Sequence, residues 1–219
     1  MRIRLAMTAT ATCAQVAARH ERRLYPSGFW GPLARLHRLT VIGRRFELGP
    51  LQLPALRRAR FSSTELSSAC VQALAHAPWP FLERLEIRFG SRGVDLATFE
   101  DLQPLLHRTD LPALTHLRLT HAYYAGSIVR ELVDAPLARQ LVVLDLSDGS
   151  FTPADIDILV RYQDRFAQLR ELWLPLSGLR KQDRRRALGM AKNVISDARG
   201  PQDLLEREIL EFEVPTARR

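Results

Sequence analysis

The sequence predicts an α/β fold in which short parallel strands and the helices between them stack unit upon unit. Three observations predict it. The motif L-x-x-L-x-L begins at Leu114, Leu141 and Leu169, so its clear copies start 27 and 28 residues apart. Looser copies precede these three, and the intervals carry helix-start signals. A fixed period between about 20 and 50 residues is typical of a solenoid, in which stacked units bury one another's cores.

Each copy of the motif is predicted to form a strand. Because side chains alternate between the two faces of a strand, Leu117 and Leu119 point into a core and Arg118 points away from it. Leu114 lies where the chain turns into the strand and covers the core edge. Burial of each leucine contributes roughly 1.5–3 kcal/mol. The six copies, of which the first two match least well, are residues 36–41, 56–61, 82–87, 114–119, 141–146 and 169–174.

The interval after residue 146 predicts a helix most strongly. Thr152 is placed as the N-cap, Pro153 at the first helical position and Asp155 at N3. Apolar residues then follow at helical spacing as far as Phe166. The return leg from this strand to the next is therefore expected to be helical.

Other intervals give similar signals. Residues 62–65, Ser-Ser-Thr-Glu, resemble a capping box, and Thr98 with Asp101 opens another helix. Apolar spacing predicts a helix through residues 128–132. The basic stretch 181–191 predicts a helix with Leu188 on its apolar side. Residues 193–196 are expected to add one short terminal strand.

The motif and its period resemble the leucine-rich repeat family, in the bacterial type of its ribonuclease-inhibitor-like class. The resemblance covers about residues 33–196 and implies about six repeats, with a curved parallel sheet inside and helices outside. It also implies a concave face that binds other proteins. The family usually places Asn three residues after the last motif leucine, and this chain departs from that pattern. The residues found there are Arg44, Thr64, Gly90, Ala122, Gly149 and Ser177.

We divide the chain into an N-terminal flank or cap (1–32), the repeat domain (33–198) and a C-terminal tail or capping helix (199–219). The flank is either a helix that caps the stack or the remainder of an earlier repeat. Its charge-free stretch 5–18 has the position of a signal peptide, but threonines in place of a bulky apolar run argue against export. The tail has apolar residues at helical spacing, which suit either a cap or a segment that docks on a partner.

Composition limits the classes of function. The 219 residues carry a formal net charge of +8, which favours acidic surfaces or nucleic acid. No segment approaches the roughly 20 apolar residues of a membrane helix. Cys13 and Cys70 are too few for a disulfide framework and lack metal-ligand spacing. We therefore expect a protein of a reducing, cytoplasmic compartment that has no membrane partner.

Catalytic patterns are missing from the sequence. There is no phosphate-binding glycine loop, nucleophile elbow or H-E-x-x-H motif. His116 and His121 have no Glu or Cys at ligand spacing and are expected to be ordinary surface histidines. Cys70 lies on the apolar side of a predicted helix, so it is expected to be a small core residue. We expect no enzymatic activity, no cofactor and no metal.

The outward positions of the predicted strands supply the candidate binding residues. The first four units are rich in arginine, whereas the last two carry acidic residues and a tryptophan. Arginine and tryptophan dominate interface hot spots. Alternatively, the arginines only keep the sheet soluble, and the tryptophan lies under the C-terminal cap. The candidate partner-binding residues are Arg38, Arg58, Arg60, Arg84, Arg118, Asp145, Glu171 and Trp173.

Two hypotheses for function follow. The first is a non-catalytic scaffold whose concave face binds an acidic protein. The second is a nucleic-acid-binding accessory protein that uses the arginines and the basic helix at 181–186. No aromatic platform is interleaved with the arginines, as single-strand binders usually require, so the first hypothesis is preferred. A third possibility is that the chain is a fragment of a longer repeat protein.

Overall fold

The computed structural model describes residues 13–18, 23–25, 33–90, 96–190 and 194–196 of the chain. Strands in this part are β1 (Cys13–Ala18), β2 (Arg23–Tyr25), β3 (Arg38–Gly43), β4 (Phe46–Leu48), β5 (Arg58–Ser63), β6 (Arg84–Arg88), β7 (His116–Thr120), β8 (Val143–Asp145), β9 (Glu171–Leu174) and β10 (Val194–Ser196). The α-helices are α1 (Ser68–Ala75), α2 (Phe99–Leu106), α3 (Ala125–Leu132), α4 (Pro153–Arg161) and α5 (Lys181–Met190). Two 3-10 turns, Pro136–Gln140 and Gln163–Phe166, precede β8 and β9.

Eight of these strands form one parallel sheet in the order β1-β3-β5-β6-β7-β8-β9-β10, which is also their order along the chain. Strands β2 and β4 pair separately, also in parallel. Where helices connect neighbouring parallel strands, these helices lie on the same face of the sheet. The predicted parallel sheet with intervening helices is confirmed. The motif residues share one register, which aligns Leu39, Ala59, Leu85, Leu117, Leu144 and Leu172.

The hydrophobic core lies between this sheet and the helices. Leu117 and Leu119 are fully buried, whereas Arg118 between them is only half-buried, as the alternation of strand side chains requires. Buried residues of α1 to α5 belong to the same core cluster as the strand leucines. Each helix packs against the next one along the chain, from α1 to α5. Each unit therefore contributes one strand and one return leg to a shared core.

Two predicted helix starts are confirmed. Thr152 and Asp155 form a capping box at α4, with Pro153 in the first turn. Thr98 and Asp101 form the same motif at α2. In each case the carboxylate accepts a hydrogen bond from the N-cap backbone N–H, which would otherwise be unpaired.

The capping box predicted at residues 62–65 is wrong. Ser62 and Ser63 are the last residues of β5, which extends two residues beyond the motif. The Ser63 hydroxyl donates a hydrogen bond to the Arg44 carbonyl at 2.7 Å. Helix α1 begins at Ser68, and its N-cap is Ser67, whose hydroxyl accepts from the Cys70 N–H at 3.3 Å.

The end regions differ from expectation in two further ways. Residues 13–18 are a strand that pairs with β3, which agrees with the remainder of a repeat rather than a capping helix. In α5 the buried residue is Ala187, and Leu188 is exposed, because α4 is the one helix that packs against α5 within the described chain. The predicted terminal strand is present as β10. Residues 1–12, the aromatic loop 26–32, the turn at 91–93 and the tail 199–219 lie outside the described residues.

Glycines occupy two of the turn positions that lie three residues after the last motif residue, Gly90 and Gly149. A Cβ atom on Gly90 would lie 1.8 Å from the Thr64 carbonyl oxygen, and one on Gly149 would lie 2.6 Å from the Ala122 oxygen. Successive turns therefore touch through their backbones, with no room for a larger side chain. Two non-glycine residues in these turns, His121 and Asp148, have left-handed φ angles of 60° and 58°.

Candidate functional site

The face of the eight-stranded sheet opposite the helices, here called the outer face, carries all eight candidate binding residues. Register places side chains of neighbouring strands next to one another, with the strands roughly 4.8 Å apart. The first row consists of Arg38, Arg58, Arg84, His116, Val143 and Glu171. The middle row consists of Thr40, Arg60, Glu86, Arg118, Asp145 and Trp173.

Charges of opposite sign alternate in the middle row. Arg60 Nε lies 3.1 Å from Glu86 Oε1, and Arg118 Nε lies 3.8 Å from Asp145 Oδ2. Opposite charges on adjacent strands stabilise a sheet, typically by about 0.2–1 kcal/mol per pair. Two of the candidate arginines, Arg60 and Arg118, are therefore partly neutralised by the sheet itself.

Asp145 is the most buried of the candidate residues. Its side chain is 0% exposed, although the strand pattern places it on the outer face. Oδ1 accepts the Ser147 backbone N–H at 2.9 Å, and Oδ2 has no hydrogen-bond partner among the described residues. Burial raises the pKa of Asp145, and Ser147 and the Arg118 charge oppose that shift only in part. Asp145 therefore holds neighbouring side chains in place rather than facing solvent.

Like charges stand side by side in the first row. Arg38 pairs in register with Arg58, and Arg58 with Arg84, so three guanidinium groups occupy three consecutive strands. Arg38 and Arg84 are exposed, and neither forms an ion pair with a carboxylate in the described part of the chain. This arrangement therefore concentrates positive charge on that part of the outer face.

His116, the next residue of the first row, responds to this charge. Its pKa is lowered by burial and then by the charges of Arg84, Arg118 and Arg58, while Glu171 acts in the opposite direction. The imidazole Nδ1 lies 2.9 Å from the Thr115 hydroxyl oxygen. The lowered pKa of His116 therefore reflects burial first and the neighbouring arginine charges second.

The other end of the outer face has a different character. Glu171 is exposed and accepts a hydrogen bond from Trp173 Nε1 at 3.2 Å. Trp173 is half-buried beside Asp145 and pairs in register with Ile195 of β10. The outer face is thus cationic over β3 to β6 and combines an acid with an aromatic side chain at β9.

A polar cluster that the sequence did not predict lies where β6, β7 and β8 end. Arg88 Nη2 lies 3.2 Å from His121 Nε2, and His121 Nδ1 lies 3.5 Å from Asp148 Oδ2. Arginine can only donate, so Nε2 is the acceptor and the imidazole proton is on Nδ1, facing Asp148. Burial and the Arg88 charge lower the pKa of His121, which agrees with a neutral ring. His121 is therefore more than an ordinary surface histidine, but only the strand register reveals it.

The remaining chemistry-bearing groups do not assemble into a reactive centre in the described residues. No cluster of three His, Cys, Asp or Glu side chains there has metal-binding geometry. Cys70 is fully buried, and burial followed by the Glu47 charge raises the pKa of its thiol. A thiol in that environment is a poor nucleophile. No helix in the described part of the chain is long and apolar enough to span a membrane.

Comparison with known proteins shows similarity at the level of the fold. No protein-family model and no curated protein sequence matches this chain. It is similar to the crystal structure of a Bacteroides fragilis protein from a structural genomics programme, with a TM-score of 0.66 and 20% identity. The match covers 80% of this chain and 50% of that one, so this chain spans half the length of the structure it matches.

The fold and its surface define a class of protein. It is an α/β protein in which an in-register parallel sheet, compatible with a repeat fold, has helices on one face and an open, charged opposite face.

Proposed function

We propose that this protein is a leucine-rich repeat protein of about six repeats and that it acts as a non-catalytic scaffold. The outer face, defined above as the face of the sheet opposite the helices, is the concave face of such a repeat protein, and it binds an acidic partner protein. The scaffold works in the cytoplasm without a cofactor or metal. The aligned positions of neighbouring strands lie 20 to 32 residues apart in sequence, which supports the repeat assignment.

The observation that carries the proposed function is the first row of arginines. Arg38, Arg58 and Arg84 occupy the same position on three adjacent strands, which concentrates positive charge on this part of the outer face. In the middle row, each arginine is instead next to an acidic residue. An acidic surface placed over the first row would be complementary to this positive charge.

The charge of the site also differs between the two ends of the outer face. Glu171 at the far end of the first row would repel the acidic part of a partner, and Trp173 beside it offers an amphipathic contact. The partner surface that fits best is therefore acidic opposite β3 to β6 and apolar or basic opposite β9.

We test the proposal with a capture experiment from nuclease-treated lysate of the source organism. The bait variant carries Arg38→Glu, Arg58→Glu and Arg84→Glu. Its matched control carries Arg139→Glu, Arg161→Glu and Arg165→Glu, which make the same change in charge at exposed positions away from the sheet. We expect one acidic protein to bind the wild type and the control and to be lost from the bait variant. Arg118 is left unchanged because it neutralises buried Asp145.

Equal capture by all three proteins would contradict a site on the first row. Capture that disappears once nucleic acid is digested would favour the nucleic-acid hypothesis. In that case affinity for an oligonucleotide should fall steeply with salt, with a slope set by the number of phosphate contacts.

A further inference from the structure

Helix α5 has one flank that nothing covers in the described part of the chain. It buries only Ala187, whereas α3 buries five residues between two neighbouring helices. Arg186 points toward α4, because its guanidinium lies 2.6 Å from Asp157. Helical residues advance by about 100° each, so side chains two positions away from Arg186 lie on the opposite flank. These are Arg184 and Leu188, and Lys181 falls at nearly the same angle.

We call Lys181, Arg184 and Leu188 the α5 flank. The two cationic residues are exposed, and Leu188 is 45% exposed. Their i, i+3, i+7 spacing makes one continuous stripe along the helix. A stripe that combines positive charge with a large apolar side chain fits an acidic, amphipathic segment.

Aspartates link successive helices in the described layer. Asp101, at N3 of α2, accepts from the Ser68 hydroxyl at 2.5 Å and from Gln72 Nε2 at 2.8 Å, both on α1. Asp155, at N3 of α4, accepts from Arg130 of α3. In both cases the other carboxylate oxygen caps its own helix. An N3 aspartate thus joins its own helix to the one before it.

The sequence after β10 repeats this arrangement. Pro201-Gln-Asp203 has the spacing of Pro153-Ala-Asp155, so the sequence predicts an N3 position for Asp203. Residues 197–200 separate β10 from Pro201, a gap of four that equals the gap between β7 and α3 (121–124). The residues that follow, 201–213, we call the acidic segment. It contains Asp203, Glu206, Glu208, Glu211 and Glu213 with a single basic residue, Arg207, and it carries Leu204, Leu205, Ile209 and Leu210.

We propose that the acidic segment docks on the α5 flank of the same chain. Asp203 accepts from Lys181 or Arg184, as Asp101 and Asp155 accept from the helices before them, and the leucines of the segment cover Leu188. Charge complementarity and the spacing of Pro201 and Asp203 after β10 both point to this occupant. This inference does not rest on the proposed function.

The docking has a consequence for binding. It covers Lys181 and Arg184 of the basic helix that a nucleic-acid partner would contact and neutralises these two cations internally. The first row of the sheet remains exposed when the segment is docked. Under the proposed function, an acidic partner would therefore bind the sheet and not the α5 flank.

Hydrogen–deuterium exchange of the full chain tests the docking. We compare the wild type with Lys181→Glu/Arg184→Glu and with the control Arg139→Glu/Arg165→Glu. Amides of residues 203–213 should exchange at least about tenfold more slowly in the wild type and the control than in the α5 variant. Adding Asp203→Lys and Glu206→Lys to the α5 variant should restore slow exchange. Positions 203 and 206 would then again carry a charge opposite to that of positions 181 and 184.

A second variant, Leu188→Glu, changes an exposed position and should also accelerate exchange in the segment while leaving α1 to α4 unchanged. Three results would overturn the docking. One is equal exchange in the wild type and both α5-flank variants. Another is slow exchange that appears only as protein concentration rises, which would assign the segment to a second copy. The third is slow exchange that is lost in the variant Arg38→Glu/Arg58→Glu/Arg84→Glu but not in either α5-flank variant.

Discussion

At Asp145, a carboxylate that strand alternation directs to the outer face is held away from water by the side chains around it. It retains one backbone hydrogen bond, from Ser147, and a guanidinium at 3.8 Å. These contacts do not fully replace lost hydration, which is why burial raises its pKa. An aspartate at an exposed strand position would be available to contact a partner. Here its charge costs stability and positions Arg118.

The Asp145→Asn variant tests this reading. Asparagine keeps the acceptor for the Ser147 N–H and removes the buried charge, so we expect stability at neutral pH to rise by on the order of 1 kcal/mol. In the wild type the folded state binds the proton more tightly than the unfolded state. Wild-type stability therefore falls as pH rises from the ordinary aspartate value of 3.8 through the raised pKa.

The gain from Asp145→Asn should accordingly be full above the raised pKa and should shrink as pH falls toward 3.8. Urea denaturation at pH 7.5 and near pH 4 measures both values. The exposed Asp164→Asn serves as the control and should leave stability unchanged at each pH. If Asp145→Asn is no more stable than the wild type at pH 7.5, the carboxylate is better solvated than its contacts indicate.

At the scale of the element, close contact between neighbouring turns limits the size of the residues that some turns can hold. Turn residues of adjacent units meet backbone to backbone, as at Gly90 and Thr64. Such close approach leaves no volume for an amide side chain, and backbone groups of neighbouring turns bond directly instead. The Glu65 N–H donates to the Arg44 carbonyl at 2.9 Å, and the His121 N–H to the Ser147 carbonyl at 3.1 Å.

Replacing Gly90 by alanine should therefore destabilise the protein. The new Cβ would lie 1.8 Å from the Thr64 oxygen, so the turns must move apart, at a cost of about 1–3 kcal/mol. Gly178→Ala is the matched control, because nothing lies within 4 Å of its added Cβ. Chemical denaturation should show a lower midpoint for the first variant only. Unchanged midpoints for both would mean that the two turns do not touch.

At the scale of the whole molecule, stability depends on one core that runs through every unit. The leucines of each strand contact those of the next, and helices α1 to α5 add to the same cluster. Stability in stacked units is close to a sum of unit and interface terms. Damage at a central strand should therefore affect units on both sides of it.

Leu144→Asp places a charge at the centre of this core, at a residue that is 1% exposed. Loss of the leucine alone typically costs about 2–5 kcal/mol, and the buried charge adds to it, against a total stability of about 5–15 kcal/mol. We expect the cooperative thermal transition, followed by circular dichroism, to be lost. Thr40→Asp, on the outer face beside Arg60, should melt like the wild type. Wild-type melting of Leu144→Asp would show that this side chain does not point inward.

The sequence by itself determined the motif strands, two helix starts and the direction of the strand side chains. Leucine spacing located the strands, because side chains alternate between the two faces of a strand and only one face is buried. The capping residues Thr152 and Thr98 located two helix starts. Local signals decided these features, so they could be predicted from neighbouring residues.

Only the tertiary structure decided which charges meet. Arg60 and Glu86 are 26 positions apart in sequence, as are Arg58 and Arg84, yet one pair attracts and the other repels, since register alone sets which side chains become neighbours. Register also buried Asp145 and brought Arg88, His121 and Asp148 together. Contacts between units depend on how those units stack, and that information is absent from any single stretch of the chain.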